Sequence, residues 1–437
     1  MGASDAVTDD MFGSSVSISG DTAVVGAYPD DHAGGVDAGS AYVFVRSGGV
    51  WIQQAKLTAD DAAAGDKFGI SVSISGDTAV VGAYMDDHAG GSDAGSAYVF
   101  VRSGTVWTQQ AKLIALDSAA TDYFGYSVAL SGETAIVGAY LDDHAGGIDA
   151  GSAYVFTRSG TVWTQQAKLT ATDAAAADQF GFSVAVSGET ALVGANLDNT
   201  PISDAGSAYV FVRAGMVWTQ QARLTASDAG SVDLFGCSVA LSGDTALVGA
   251  RFDDAPLGNA GSAYVFTRSG TSWTQQAKLV ASDAAMTDEF GYSVAVSGDT
   301  ALVGAWHDDL PPMNDAGSAY VFVRSGTTWT QHAKIIASDG ELIDHFGVSV
   351  AVDGETALVG AENANTPVDL DAGAIYVFAL GTLDSDGDGV PDVCDPCPNT
   401  PPGLPFYCAG RPLRDCNGDC LVDGADVQCI VNELLSH

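Results

Sequence analysis

Three observations predict an all-β fold, a seven-bladed β-propeller. A Phe-Gly pair recurs at Phe12, Phe68, Phe124, Phe180, Phe235, Phe290 and Phe346, so successive copies start 55 or 56 residues apart. Each complete copy holds the same four short stretches rich in Val, Tyr, Phe, Thr or Trp and bounded by Gly, Ser and Asp, which read as strands. No stretch in the copies has a helical period. A long, strict repeat means a solenoid, a propeller or an array, and four antiparallel strands per repeat make a propeller blade.

The second copy shows the elements in order. SVSIS (71–75) and TAVVGA (78–83) are joined by SGD, a tight hairpin. After the loop YMDDHAGGSDAG (84–95) comes GSAYVFVR (95–102), and RSGT turns it into VWTQQAKLTA (106–115). The first strand places small residues between its branched ones (Ser71, Ser73, Ala129, Ala185), as strands crowded round a central channel require. The third strand is apolar on both faces, with Tyr98 and Phe100 on one and Ala97, Val99 and Val101 on the other. That suits a blade sandwiched between two neighbours.

Phe-Gly, then Val-Gly-Ala, then Gly-Ser-Ala-Tyr-Val-Phe resembles the FG-GAP repeat, the unit of the integrin α-subunit propeller and of many bacterial surface proteins. The resemblance covers residues 5–378. That family often carries a calcium loop, Asp-x-Asp-x-Asp-Gly, in the first hairpin; here this hairpin is only SGD, SGE or DGE. The family's Pro after Gly-Ala is replaced by Tyr28, Tyr84, Tyr140, Asn196, Arg251, Trp306 and Glu362. Such a mix suits the gripping of sugars or peptides, and these seven are the candidate ligand-binding residues. Packing between blades is the competing reading of the same position.

The seventh copy is incomplete. Trp opens the fourth strand at Trp51, Trp107, Trp163, Trp218, Trp273 and Trp329, and nothing like it follows Phe378. The opening ASDAVTDDMFG matches the end of such a strand and its following loop. We therefore expect a three-stranded seventh blade, or a substitute edge from residues 379–383, and a natural precursor longer at its N-terminus. No signal peptide is visible in MGASDAVTDD.

Sixteen basic residues face 55 acidic ones, a formal net charge of -39. This argues against nucleic acid, whose phosphates need Lys and Arg, and against anionic membranes; no apolar run approaches the roughly 18 residues of a membrane span. Most of the Asp falls in the second-to-third and blade-to-blade loops, which share one face. That face is expected to be strongly negative and to attract cations. Of the basic residues, the Arg set (Arg46 to Arg324) is expected toward the opposite, hairpin face, and the set Lys56 to Lys334, with Arg223 in place of Lys, on the outer edge. The second-to-third loop is the part that varies among copies, from DDHAGG to FDDAPLGN, and varied loops are where recognition is usually placed. Asp-Asp-His at His32, His88 and His144 offers few converging metal ligands and reads as copied loop sequence. Cys237 reads as a buried free thiol. Catalytic motifs are absent: the Gly-x-Ser-x copies lack the closing Gly of a nucleophile elbow, and there is no HExxH.

After Leu380 the composition changes. DSDGDGVPDVCD sets Asp384, Asp386, Asp388, Asp392 and Asp395 at the spacing of a calcium loop, with Gly389 at the sharp turn. With CDPCPNT following, it resembles a thrombospondin type 3 repeat. DCNGDCLVDGAD repeats the pattern with Asp415, Asn417, Asp419, Asp423 and Asp426, although Cys420 stands where Gly is usual. Val427, Ile430, Val431, Leu434 and Leu435 then fall at helical spacing. Loop and helix together resemble half of a dockerin module, a family that binds cohesins. Cys394, Cys397, Cys408, Cys416, Cys420 and Cys429 are expected to form disulfides in a segment with little core; zinc at Cys394 and Cys397 is the alternative.

The sequence thus divides into a propeller (5–378), a linker with a calcium loop (379–410) and a half-dockerin-like end (411–437). Disulfides and calcium loops both point to the cell surface or the extracellular space. The leading expectation is a non-catalytic adhesion or binding protein. It would bind an extracellular glycan or protein on the acidic loop face and dock or stiffen its tail with Ca2+. The alternatives are a polysaccharide-active lyase or hydrolase on the same scaffold, and a structural surface-layer component.

Overall fold

The computed structural model describes residues 1–382, except 201, 255–256, 311–312 and 366–369, and beyond them only two short paired strands, Phe406–Tyr407 and Arg411–Pro412. Residues 1–377 hold six four-stranded antiparallel sheets and most of a seventh with three strands. Strand order in every sheet is the chain order, so each sheet is one blade. In blade two the strands are Phe68–Ser75, Thr78–Ala83, Ser96–Ser103 and Val106–Leu113. The first strands surround a central channel lined by Ser17, Ser73, Ala129, Ala185, Ala240, Ala295 and Ala351 among others.

The recurring glycines are explained by the seams between blades. A Cβ on Gly82 would lie 1.9 Å from the carbonyl oxygen of Gly125, and one on Gly125 2.2 Å from that of Ser96. Gly125 also has a φ of +98°, a conformation L side chains avoid. The same pairing recurs around the ring, up to Gly360, whose Cβ would lie 2.0 Å from the oxygen of Gly13. Beside each glycine the Phe ring is fully buried, and in blades one to six it meets two rings of the third strand edge-on; Phe124 lies 5.5 Å from Tyr154 and 5.9 Å from Phe156. These cores lie between blades: Val80, Ala97 and Val99 of blade two pack with Phe124, Val137 and Tyr154 of blade three. One blade alone would expose both apolar faces, which is why the unit must be repeated.

The outer edges are joined by a second device. In each complete blade the pairing of the third and fourth strands slips by one residue, as between Val99 and Phe100, and Gln110 is left unopposed. A bulge of this kind turns its residue out of the ladder, and Gln110 accepts the indole N–H of Trp163 in the next blade at 2.9 Å. Gln54 with Trp107, Gln166 with Trp218, Gln221 with Trp273 and Gln276 with Trp329 do the same.

The outer-strand cations differ from expectation. Rather than standing on the edge, they reach the long-loop end of the blade. Lys112 bridges Asp61 at 2.7 Å and the buried Asp86 at 2.8 Å, while Ser96 and Tyr98 also donate to Asp86. A buried carboxylate needs such partners. Lys56, Lys168, Arg223, Lys278 and Lys334 each pair with a buried Asp in the same way. The Arg set does lie at the hairpins, where Arg102 pairs with Asp77.

Blade seven has three strands, Phe346–Asp353, Thr356–Ala361 and Ala374–Ala379. Leu380–Thr382 form a 3-10 turn, so the substitute edge expected from 379–383 is not seen among the described residues. Instead the start of the chain closes the ring. Met1 exchanges backbone hydrogen bonds with Ile375, at the register where Leu57 faces Ala41 in blade one, and Phe12 donates to Ala372. Three residues that would serve the missing strand have changed with it. Ala364 stands for the buried Asp, Ala374 for its Ser donor, and His332 for the bulged Gln of blade six. Among the described residues, no helix is long and apolar enough to cross a membrane. The tail motifs at 384–395 and 415–426, their cysteines and the C-terminal helix lie outside the described residues.

Replacing Gly138 with Ala, whose Cβ would lie 2.0 Å from the carbonyl oxygen of Gly181, is expected to cost about 3 kcal/mol or more in urea unfolding. Gln110→Leu, which removes only the outer tie, should cost about 1 kcal/mol. Equal effects would show that the glycine seams are not the tighter constraint.

Candidate functional site at the channel mouth

At the long-loop end of the channel, two positions per blade converge. One follows Phe-Gly at the start of the first strand; the other follows Gly-Ala at the end of the second. Tyr126, Phe182, Cys237, Arg251 and Tyr292 line a cup of about 400 Å³ there. This lies within the roughly 300–1,000 Å³ typical of small-molecule sites.

One wall is aromatic. Tyr126 lies 4.6 Å from Tyr140 and 5.2 Å from Phe182, and Tyr84 and Tyr123 extend the cluster. Burial raises the Tyr126 and Tyr140 hydroxyls above the ordinary phenol range, and Tyr84 to about 12, so these groups stay neutral donors. The opposite wall is charged. The Arg251 guanidinium stacks 4.7 Å from Phe252 and 5.3 Å from Tyr292, and its buried Nε has no hydrogen-bond partner. Beside it, Trp306 donates to Glu289 at 3.0 Å, and His307 lies 3.3 Å from the same carboxylate. Burial alone would raise Glu289, but the hydrogen bonds from His307 and Trp306 and the charge of Arg251 outweigh it and hold the carboxyl below its usual range. Glu362 lies 3.7 Å from His345, which meets Trp306 edge-on at 4.6 Å.

Of the seven residues singled out after Gly-Ala, Tyr84, Tyr140, Arg251, Trp306 and Glu362 enter this network. Asn196 is 4% exposed, and its Oδ1 is buried without a partner. Tyr28 turns to a neighbouring depression, where its hydroxyl contacts Met11 and Lys67 stands over its ring. The sequence does not single out Tyr126, Phe182 and Tyr292, whereas Cys237 is the buried free thiol expected and also borders the cup. A signal for them was present: the residue after Phe-Gly is Ser14, Ile70, Tyr126, Phe182, Cys237, Tyr292 and Val348, a variable position inside a nearly constant strand. His32, His88 and His144 brace their own loops; His88 accepts from Gly90 and bonds the Gly95 carbonyl. No group of three or more potential metal ligands occurs among the described residues.

A model of the FG-GAP repeat matches residues 1–44, 51–100, 107–156, 163–211, 218–266, 273–322 and 329–378. The chain belongs to the FG-GAP repeat family. No curated protein sequence matches this FG-GAP chain. Among solved structures, the periplasmic gluconolactonase of Pseudomonas aeruginosa is similar in fold, with a TM-score of 0.50 and 15% identity over 75% of this chain and 86% of that one. At that identity the likeness is one of fold.

The loops at the cup end hold two sets of Asp with opposite responses to pH. Burial, followed by neighbouring carboxylates such as Asp86, raises Asp66 to about 6, and Asp10, Asp122, Asp178 and Asp288 behave alike. Burial would also raise Asp5, Asp61, Asp117, Asp228 and Asp283, but their Lys partners outweigh it and lower them. A raised Asp stabilises the fold below its unfolded value of 3.8, and that gain is lost as pH rises through about 6. A lowered Asp stabilises above 3.8, and its gain is lost as pH falls below that value. Thermal stability from these groups is therefore expected to be highest near about pH 4 and to decline as pH rises to about 6. Asp122→Asn should flatten the decline, and a melting temperature that rises steadily from pH 5 to about 7.5 would contradict the assignment.

Proposed function

We propose that this FG-GAP propeller is a non-catalytic binding protein of the cell surface or extracellular space that takes a glycan in the cup at the channel mouth. The observation that carries the reading is the cup itself, with stacked aromatic rings on one side and an Arg Nε without a partner on the other. Aromatic faces receive the apolar C–H faces of sugars, and fixed polar groups opposite them set orientation. The cup is built from the few positions where the copies differ, while the packing positions repeat. In this reading the tail, through Asp384 to Asp395 and Asp415 to Asp426, binds Ca2+ and acts as a stalk or docks a partner.

A hydrolase or lyase is the second reading, supported by the carboxylate–histidine pairs Glu289–His307 and Glu362–His345 at the rim. Against it, both Glu289 oxygens are already engaged by Trp306 and His307. The gluconolactonase likeness adds fold alone.

The test is a glycan and matrix-protein array, run in millimolar calcium and in chelator, with the native chain and a Tyr126→Ala/Phe182→Ala variant. Glycan signals that vanish in the variant are expected. Signals unchanged by the variant would move the site off the cup. Signals lost in chelator but retained in the variant would place recognition in the tail.

A further inference from the structure

The chemistry of the cup narrows the class of glycan, an inference that rests on the binding reading above. We infer that the cup binds a carboxylated sugar, with its ring against Tyr126 and Phe182 and its carboxylate on Arg251.

Three features argue for this. First, Arg251 is the cation in the lining of the cup, and among the described residues no acid forms a direct ion pair with it, although the chain carries a net charge of -39. The other outer-strand and hairpin Arg and Lys pair with Asp or Glu, as Lys112 and Arg158 do. A guanidinium held near two aromatic rings and lining the cup offers the planar fork of N–H donors that matches a carboxylate.

Second, the mouth also offers acceptors beside its tyrosine hydroxyls. Asn196 holds the same ring position in the blade between those of Tyr140 and Arg251, and its buried Oδ1 lacks a donor. Glu362 adds a carboxylate at the rim. A ligand that suits these groups brings several O–H donors and one anionic group, which a sugar acid does and a simple aromatic acid does not. A buried acceptor left without a donor would weigh against the aromatic acid.

Third, the acidic surroundings disfavour multiply charged anions. A phosphate or sulfate ester would place more charge near Glu289 and Glu362 than a single carboxylate does.

Isothermal titration with methyl β-D-glucuronide and methyl β-D-glucoside, which differ only in the carboxylate, tests this. The native chain should bind the glucuronide about tenfold or more tightly than the glucoside, a gap of about 1.4 kcal/mol. Arg251→Gln should erase that gap, and an unaltered thermal melt would show that the fold is intact. Equal binding of the two glycosides, lost in Tyr126→Ala, would overturn the carboxylate assignment and leave the cup as the glycan site. Binding of neither glycoside would overturn the assignment as well, and the array comparison with the double variant would then decide the cup by itself.

Discussion

The seams between blades are held backbone against backbone. At every seam the glycine of Val-Gly-Ala lies so near the glycine after Phe that one methyl group would overlap a carbonyl oxygen. Two sheets can come this close only where side chains are missing from both. The contact sets the inner radius of the ring, and the rest follows from it. The Phe ring fills the wedge that opens outward from the glycines, the Tyr and Phe of the third strand fill the next layer, and the Trp–Gln tie closes the rim. Small residues on the first strand are then obligatory, because seven such strands share one channel wall.

This hierarchy explains what was legible in the sequence. Packing leaves periodic marks, and the period, the strand count per copy and the missing strand of blade seven could all be read from Phe, Gly and Trp alone. The fates of individual charged groups were less visible. Lys112 looks like an edge cation in the linear sequence, yet its length lets it fold back to Asp61 and Asp86. The bulge at Gln110 leaves no mark except a second Gln, whose use depends on a Trp more than 50 residues away. The cup was half legible. Arg251 and Trp306 stand at a position where a family residue is visibly replaced. Tyr126 and Phe182 vary inside a strand whose neighbours do not, and only the convergence of different blades gives that variation a meaning.

Scaffold and site are separable in this protein to an unusual degree. The positions that hold the ring together recur in nearly every copy. The cup uses the residue after Phe-Gly and the residue after Gly-Ala, neither of which is needed for the seams. A sevenfold frame therefore carries a site without symmetry, aromatic on one side and charged on the other. Substitutions there change recognition with little effect on the frame, whereas substitutions at the seams act on every blade boundary they touch.

The altered residues of blade seven bear on how the ring would come apart. In blade seven the buried Asp and its Ser donor are replaced by Ala364 and Ala374, and in blade six His332 replaces the bulged Gln, so blade seven keeps its glycine seams and the Tyr376–Asp339 hydrogen bond at 2.8 Å but, among the described residues, has no ion pair of the kind that locks the other six. A closed circle under strain parts at its least-fastened joint. Opening at blade seven would leave the other six as a curved, open stack still zipped at its remaining seams, so breathing of the molecule is expected to begin at this one blade and not evenly around the circle.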